Sequence, residues 1–287
     1  MKKIYYLIVL VGLSTALKAQ QSALFKYKYL PKHTYKINMK MLMGMEMAMG
    51  GDSATVAKLK AQGAKQPMVM KMDMSLGANI ITGALGPTQT FPFEMSYNDI
   101  TTKMTMNGQE TLMPKNPIAG EKMIGECDAD GKLRVDKINS TSANEQLKAA
   151  MTDMMNKMQA QIKFPEKPLA IGDSFTQEIP MSVPAGVLNM DIVIKTIYKL
   201  TGLKGTQGYF DTDMSMEFNM NTEKNGVALV GKGTGNGMGK MVYAIDKSYP
   251  VAMDTDFDMI FNMAVKEMKM DMKMKMKSNI QNDISAN

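Results

Sequence analysis

Apolar and polar residues alternate with a period of two along most of this chain. The stretch Lys266–Lys277 shows it best: Met268, Met270, Met272, Met274 and Met276 are interleaved with Lys269, Asp271, Lys273 and Lys275. A β-strand sends successive side chains to opposite faces, so all five thioethers fall on one side and the charges on the other. A helix cannot do this, because positions i and i+2 do not share a helical face. The same pattern predicts a strand over His33–Met49, with Tyr35, Ile37, Met39, Met41, Met43, Met45, Met47 and Met49 on one face. Gly50, Gly51 and Asp52 break it, and residues 53–66 read as a loop or frayed helix.

Met68, Met70, Met72, Met74 and Leu76 make the next strand, followed by a Gly- and Pro-containing connection over 77–90. Phe91, Phe93, Met95 and Tyr97 are odd-numbered, whereas Ile100, Thr102, Met104 and Met106 are even. That change of parity at Asn98-Asp99 predicts a turn or a β-bulge. Asn107-Gly108 is a hairpin signal. Residues 118–127 and 132–138 form a second hairpin around Asp128–Gly131. Further on, the alternating sets are Leu188 to Leu200, Met214 to Met220, Val227 to Ile245 and Met253 to Met263. The parity switches near Lys266-Glu267, and the polar tail after Ser278 reads as frayed.

One segment has helical spacing instead. Ser142-Ala143-Asn144-Glu145 is a capping box, and Leu147, Ala150, Met151, Met154, Met155, Met158 and Ile162 form one apolar stripe before Pro165 and Pro168. Such a stripe packs on a sheet or links two β halves. The expected fold is mainly β: a large curved antiparallel sheet, as a half-barrel or a sandwich, with one amphipathic helix. Its organisation is an N-terminal β half (20–139), a helix and linker (140–168) and a C-terminal β half (169–287). The turn-like openings Pro31–Thr34 and Gly172–Phe175 suggest that the halves are duplicates, and no short period supports a solenoid.

Residues 1–19 read as a cleaved signal peptide, with Lys2 and Lys3 before the apolar run Ile4–Leu13 and Ala19 at the cleavage point. The expected location is therefore the periplasm, the outer-membrane surface or the exterior. The only cysteine is Cys127, far from the cleavage point, which argues against a lipoprotein anchor and against a disulfide scaffold. After residue 20 no apolar run reaches spanning length for a helix. The net charge of +6 includes Lys2, Lys3 and Lys18, so residues 20–287 carry +3 with both signs interspersed. That is not a nucleic-acid footprint. Methionine is the compositional anomaly, 35 of 287 residues in a chain without tryptophan.

The catalytic chemistries lack parts. His33 is the only histidine, which leaves little for a nucleophile–base site or for zinc. Gly231, Gly233, Gly235, Gly237 and Gly239 alternate strictly, which fits no phosphate-loop spacing and instead marks a bent or closely packed strand. Asp254, Asp256 and Asp258 share a face that could hold Ca²⁺, although a solvated acidic face explains them better. Asp128-x-Asp130-Gly131 is explained by a turn. No cofactor is expected.

The methionines admit three readings. Thioethers fill irregular cores, and methionine occupies core-type positions in nearly every element, which favours packing. A Met-lined concave sheet could also accept an apolar small molecule or lipid, through Met39, Met41, Met43, Met45, Met70, Met72, Met214, Met216, Met270, Met272 and Met274. The alternative is a soft metal, Cu(I) or Ag(I), on Met268, Met270, Met272, Met274 and Met276. Neighbouring methionines on one strand would be about 6.6–6.8 Å apart at Cα.

Tyr27-Lys28-Tyr29-Leu30 with Thr34-Tyr35, the stretch Phe164–Phe175 (FPEKPLAIGDSF) and Asp246-Lys247 resemble a family of secreted, uncharacterised β-rich proteins of Gram-negative envelopes. The resemblance covers most of the chain. It implies fold and location only, and carries over no site residues. A weaker architectural likeness is to the half-barrel of periplasmic lipoprotein carriers. The expected function is that of a non-enzymatic exported envelope protein with an apolar-ligand site in a Met-lined interior.

Overall fold

In a computed structural model the described residues of the chain form fourteen strands: β1 (Ser22–Ala23), β2 (His33–Gly50), β3 (Met68–Thr82), β4 (Phe91–Met106), β5 (Gln109–Leu112), β6 (Lys122–Cys127), β7 (Leu133–Asn139), β8 (Leu169–Ala170), β9 (Ser174–Ala185), β10 (Leu188–Lys204), β11 (Gln207–Lys224), β12 (Val227–Ala244), β13 (Tyr249–Val265) and β14 (Met268–Ala286). The structure describes residues 21–51, 66–112, 120–139, 163–185, 188–224, 227–265 and 268–287, with single positions 54, 58, 61, 145, 148, 149, 152, 153 and 156. The expected signal peptide and most of the expected helix lie outside the described residues. Glu145, Lys148, Ala149, Thr152, Asp153 and Asn156, from that helix, are helical.

Twelve strands form one antiparallel sheet in the order β7-β6-β4-β3-β2-β14-β13-β12-β11-β10-β9, with β5 paired to β4. Each half of the chain is a meander. The two meanders join where β2 meets β14, in register from Gly50↔Lys269 to His33↔Ala286. Edge strands β7 and β9 do not pair with each other, so the sheet is open. At the β7 edge, the Val135 N–H donates to Asn156 Oδ1 at 2.9 Å, and Asn156 Nδ2 donates to the Val135 carbonyl at 3.2 Å. One side chain from the helical segment thus satisfies both backbone groups of an edge residue.

The turn chemistry follows the sequence. Asn107 and Gly108 have φ of 50° and 87°, as a two-residue hairpin requires. The parity change at Asn98-Asp99 is a bulge: Gly77 pairs with Asp99 and Ala78 with Tyr97, leaving Asn98 unopposed. The Asp128–Gly131 turn closes through Lys132 N–H donating to Asp128 Oδ1 at 2.9 Å, with Gly131 at φ 74°.

Two boundaries need correction. Strand β3 does not end at Leu76 but runs through the bulge to Thr82, because Ala78, Ile80 and Thr82 alternate into the core. The tail after Ser278 is not frayed either. It completes β14, with Ile284 buried and the Asn287 N–H donating to the Lys32 carbonyl at 2.9 Å.

The buried core lies at one end of the apolar face, under a strap formed by residues 21–32. Tyr29 packs on Tyr35 and Tyr249 with ring centroids 4.9 and 5.2 Å away. Phe25 packs on Phe210 at 4.9 Å and Tyr243 at 5.5 Å. Around the tyrosines are Ile80, Phe91, Phe93, Met95, Met123, Val135, Ile138 and Ile284. Around Phe25 are Leu169, Leu200 and Met241. The strap is held by backbone bonds from Lys28 N–H to the Ser248 carbonyl (3.1 Å) and from Tyr29 N–H to the Gly131 carbonyl (2.7 Å), and by β1 pairing with β8.

Candidate functional site

Two features of the sheet could do chemistry, and they lie on opposite faces. The larger cavity is a trough of about 980 Å³ on the charged face. Its side-chain walls are two neighbouring rows that cross β2, β14, β13, β12, β11 and β10, with Ser174 of β9 beside Lys199 at the end. One row runs Leu42, Lys277, Asp256, Met238, Asp213, Ile197, and the other Lys40, Asn279, Asp254, Lys240, Asp211, Lys199. The trough lies between these two side-chain rows, with Thr212, Gly239, Thr255 and Ser278 between them, and the methionine face is the opposite one.

Within the trough most charges are matched. Lys277 Nζ lies 3.0 Å from an Asp256 carboxylate oxygen and Lys240 Nζ 3.3 Å from Asp211. Asn279 Nδ2 donates to Asp254 Oδ1 at 2.6 Å. Nearby, Lys275 pairs with Asp258 at 3.4 Å. The Asp254, Asp256 and Asp258 face is thus an exposed ladder of cross-strand pairs. Among the described residues, no group of three His, Cys, Asp or Glu side chains is placed to hold a metal ion. Lys40, Lys199 and Asp213 have no ion-pair partner among the described residues. Between these charges lie three solvent-exposed apolar side chains, Leu42 (55% exposed), Ile197 and Met238 (73%).

The second feature is the methionine face. Cross-strand register lines up Met106, Met70, Met45, Met274, Met259, Gly235, Met216, Ile194 and Ile179 across nine strands. The next row is Met104, Met72, Met43, Met276, Phe257, Gly237, Met214, Thr196 and Gln177. The strand segments 39–49 and 268–276 therefore sit side by side on one face and enclose nothing between them. The alternating glycines of β12 stand where these rows cross. A Cβ at Gly235 would come 2.5 Å from Phe257 Cε1 and 2.6 Å from Met259 Cγ, so the strand is closely overlaid by its neighbour's side chains.

Of the residues expected to line an apolar pocket, Met39, Met41, Met43, Met45, Met70, Met72, Met214, Met216, Met270, Met272 and Met274 all lie on this face, half-exposed, and none lines the trough. The five expected metal ligands, Met268 to Met276, are also half-exposed and share the face with Met43, Met45, Met47 and Met49.

His33 and Cys127 are apart from both features. His33 Nδ1 is 2.8 Å from the Pro31 carbonyl oxygen and its ring tilts against Tyr35 at 6.4 Å. Cys127 lines a smaller cavity of about 270 Å³ with Asp128 and Arg134. Burial, and then the Asp128 carboxylate, push its thiol up to about 12, so the nucleophilic thiolate is scarce at neutral pH.

The sequence held a signal for the trough that the methionines obscured. Leu42, Ile197 and Met238 are apolar residues of the wrong parity: Leu42 follows Lys36 and Lys40 on the polar face, and Ile197 stands between Lys195 and Lys199. Single exposed apolar side chains are ordinary on a protein surface; what sets these three apart is that all of them line the trough.

No protein-family model matches the chain, and no curated protein matches it significantly. Among solved structures, Pseudomonas aeruginosa OccK5 (OpdH) is 5% identical with a TM-score of 0.27, over 89% of this chain and 99% of that one. P. aeruginosa OpdQ is 7% identical with a TM-score of 0.27, over 88% and 100%. The Escherichia coli outer membrane protease OmpT is 6% identical with a TM-score of 0.26, over 93% and 100%. TM-scores this low establish neither a shared fold nor a shared function. Among the described residues, no helix is long and apolar enough to cross a membrane.

Proposed function

We propose that this protein is a non-enzymatic binding protein of the cell envelope, and that it holds an apolar ligand with a negatively charged end, a fatty acid or a related amphiphile, in the trough of the charged face. The observation that carries this reading is the pairing of exposed Leu42, Ile197 and Met238 with two lysines, Lys40 and Lys199, that have no ion-pair partner among the described residues. A volume of about 980 Å³ suits a ligand of this size. An acyl chain would cover the three apolar side chains and a carboxylate would meet an unpaired ammonium. The export reading of residues 1–19 supports the location. The position of His33 and the buried thiol of Cys127 support a role in binding rather than catalysis.

The test is a titration with a fluorescent long-chain fatty acid and with its methyl ester. The acid binds more tightly than the ester, Lys40→Ala with Lys199→Ala removes the difference, and Met238→Glu weakens both. Equal binding of acid and ester to the unaltered protein, or no binding, sinks the proposal. Binding that survives Met238→Glu but not Met45→Glu moves the ligand to the methionine face.

A further inference from the structure

The methionines are not spread evenly over the apolar face. Along β2, Tyr35 and Ile37 give way to Met39 through Met49. Along β14, Ile284 and Ile280 give way to Met276 through Met268. Along β3, Ile80, Ala78 and Leu76 give way to Met74 through Met68. In β2 and β3 the aromatic or aliphatic part belongs to the buried core or packs at its margin, in β14 Ile284 does so, and in all three the methionine part is half-exposed. Strands ordinarily favour β-branched and aromatic side chains, and on these three strands such residues hold the buried end, whereas Met95, Met123 and Met241 are core residues of other strands. Gap-filling alone does not explain a switch to thioethers where solvent can still reach them.

Register converts the switch into a grid. On three adjacent strands, Met70, Met45 and Met274 stand in line, flanked on one side by Met72, Met43 and Met276 and on the other by Met68, Met47 and Met272. Directly opposed residues have Cβ atoms about 4.5–5.5 Å apart. That is closer than successive methionines of one strand, at about 6.6–6.8 Å between Cα atoms. Three long, flexible side chains reaching up from such a line can bring their sulfurs onto one ion.

We propose that this grid binds a soft monovalent cation, Cu(I) or Ag(I), with Met45 at its centre and Met70 and Met274 as the cross-strand partners. Thioether sulfur is a soft, neutral ligand suited to a d¹⁰ monovalent ion, and the residues directly in line with Met45 and in the two flanking lines on β3, β2 and β14 are all methionines. The face opposite holds the Lys and Asp rows of the trough, so the two sites are independent. Neither of the other soft or borderline donors is part of the grid: Cys127 is buried in the core and His33 lies at the Tyr35 end of β2. Because thioethers carry no proton to lose, binding here is independent of pH, unlike a site built on imidazole or thiolate.

The test is an anaerobic Cu(I) titration of the full chain in ascorbate against a chromophoric Cu(I) chelator, with a parallel Ag(I) titration. Stoichiometric, submicromolar binding that holds constant from pH 5 to 8 is expected. The volume-conserving triple variant Met45→Leu, Met70→Leu, Met274→Leu weakens it at least tenfold, and Met238→Leu on the other face leaves it unchanged. In the unaltered protein, Ag(I) shifts the ¹³C-methyl signals of Met45, Met70 and Met274 and not that of Met238, a readout that stands even if the triple variant fails to fold. No stoichiometric binding, undiminished binding by the folded triple variant, an affinity that rises with pH, or unmoved grid methyls would each overturn the proposal.

Discussion

Gly233 of β12 faces Phe261 of β13 in register, and the phenyl ring lies across the glycine: a Cβ at position 233 would sit 2.5 Å from Phe261 Cδ1 and 2.8 Å from the Ile260 carbonyl oxygen. The ring also meets Phe218 edge-on at 5.2 Å. Backbone cannot yield as a side-chain tip can, so Gly233→Ala is expected to destabilise the protein by about 1–3 kcal/mol through overpacking. Gly44→Ala on β2, with nothing within 4 Å of the added Cβ, is expected to be neutral within about 0.5 kcal/mol. Urea denaturation of the two variants checks both. Equal effects would mean that the β12 glycines are not overlaid as described.

The strap core predicts an alkaline weakness. Burial holds the Tyr35 phenol up to about 12, and raises Tyr27, Tyr29 and Tyr249 as well. Unfolded tyrosines ionise near pH 10, whereas the folded ones keep their protons. Between about pH 10 and 12 the unfolded state thus binds fewer protons, and raising the pH favours unfolding. Each fully shifted tyrosine costs about 1.4 kcal/mol per pH unit in that window and nothing below it. Denaturation midpoints at pH 7, 8 and 11 should be level between the first two and fall at the third, the buried Cys127 thiol adding to the fall from about pH 9. Tyr35→Phe removes the acceptor of the Leu30 N–H, 2.7 Å away, which costs about 1–3 kcal/mol at pH 8 and flattens the alkaline fall.

These expectations rest on elements that differ in how far sequence exposes them. The period-two runs revealed the strands, and the parity change at Asn98-Asp99 located the bulge, because both are local consequences of strand geometry. The ends of β3 and β14 were not legible. Ala78, Asn79 and the polar run at 278–283 look like loop until pairing with β2 and β4 supplies their partners. Alternation says which residues share a face, and not which of the two faces holds a cavity. The trough at Leu42, Ile197 and Met238 is therefore not legible from the period-two pattern, and the methionines expected around a cavity lie on the face opposite to it.

Exposure orders the methionines by their chemistry with peroxide. Met238 is 73% exposed, the methionines of β2, β3 and β14 are half-exposed, and Met123, Met220 and Met241 are buried at 5% or less. Limited oxidation followed by peptide mass spectrometry should convert Met238 first and spare Met123, Met220 and Met241 until the fold is lost. Early sulfoxide at Met123 would place it outside the core assigned to it.

Met45, Met70 and Met274 form one line across three strands, on the face opposite Met238. Nuclear Overhauser contacts between isotope-labelled methionine methyl groups measure this most directly. The prediction is contact from Met45 to both Met70 and Met274, and none from Met238 to any of the three. Contact between Met238 and Met45, with none between Met45 and Met274, would contradict the register, the division of the faces and the metal proposal built on them.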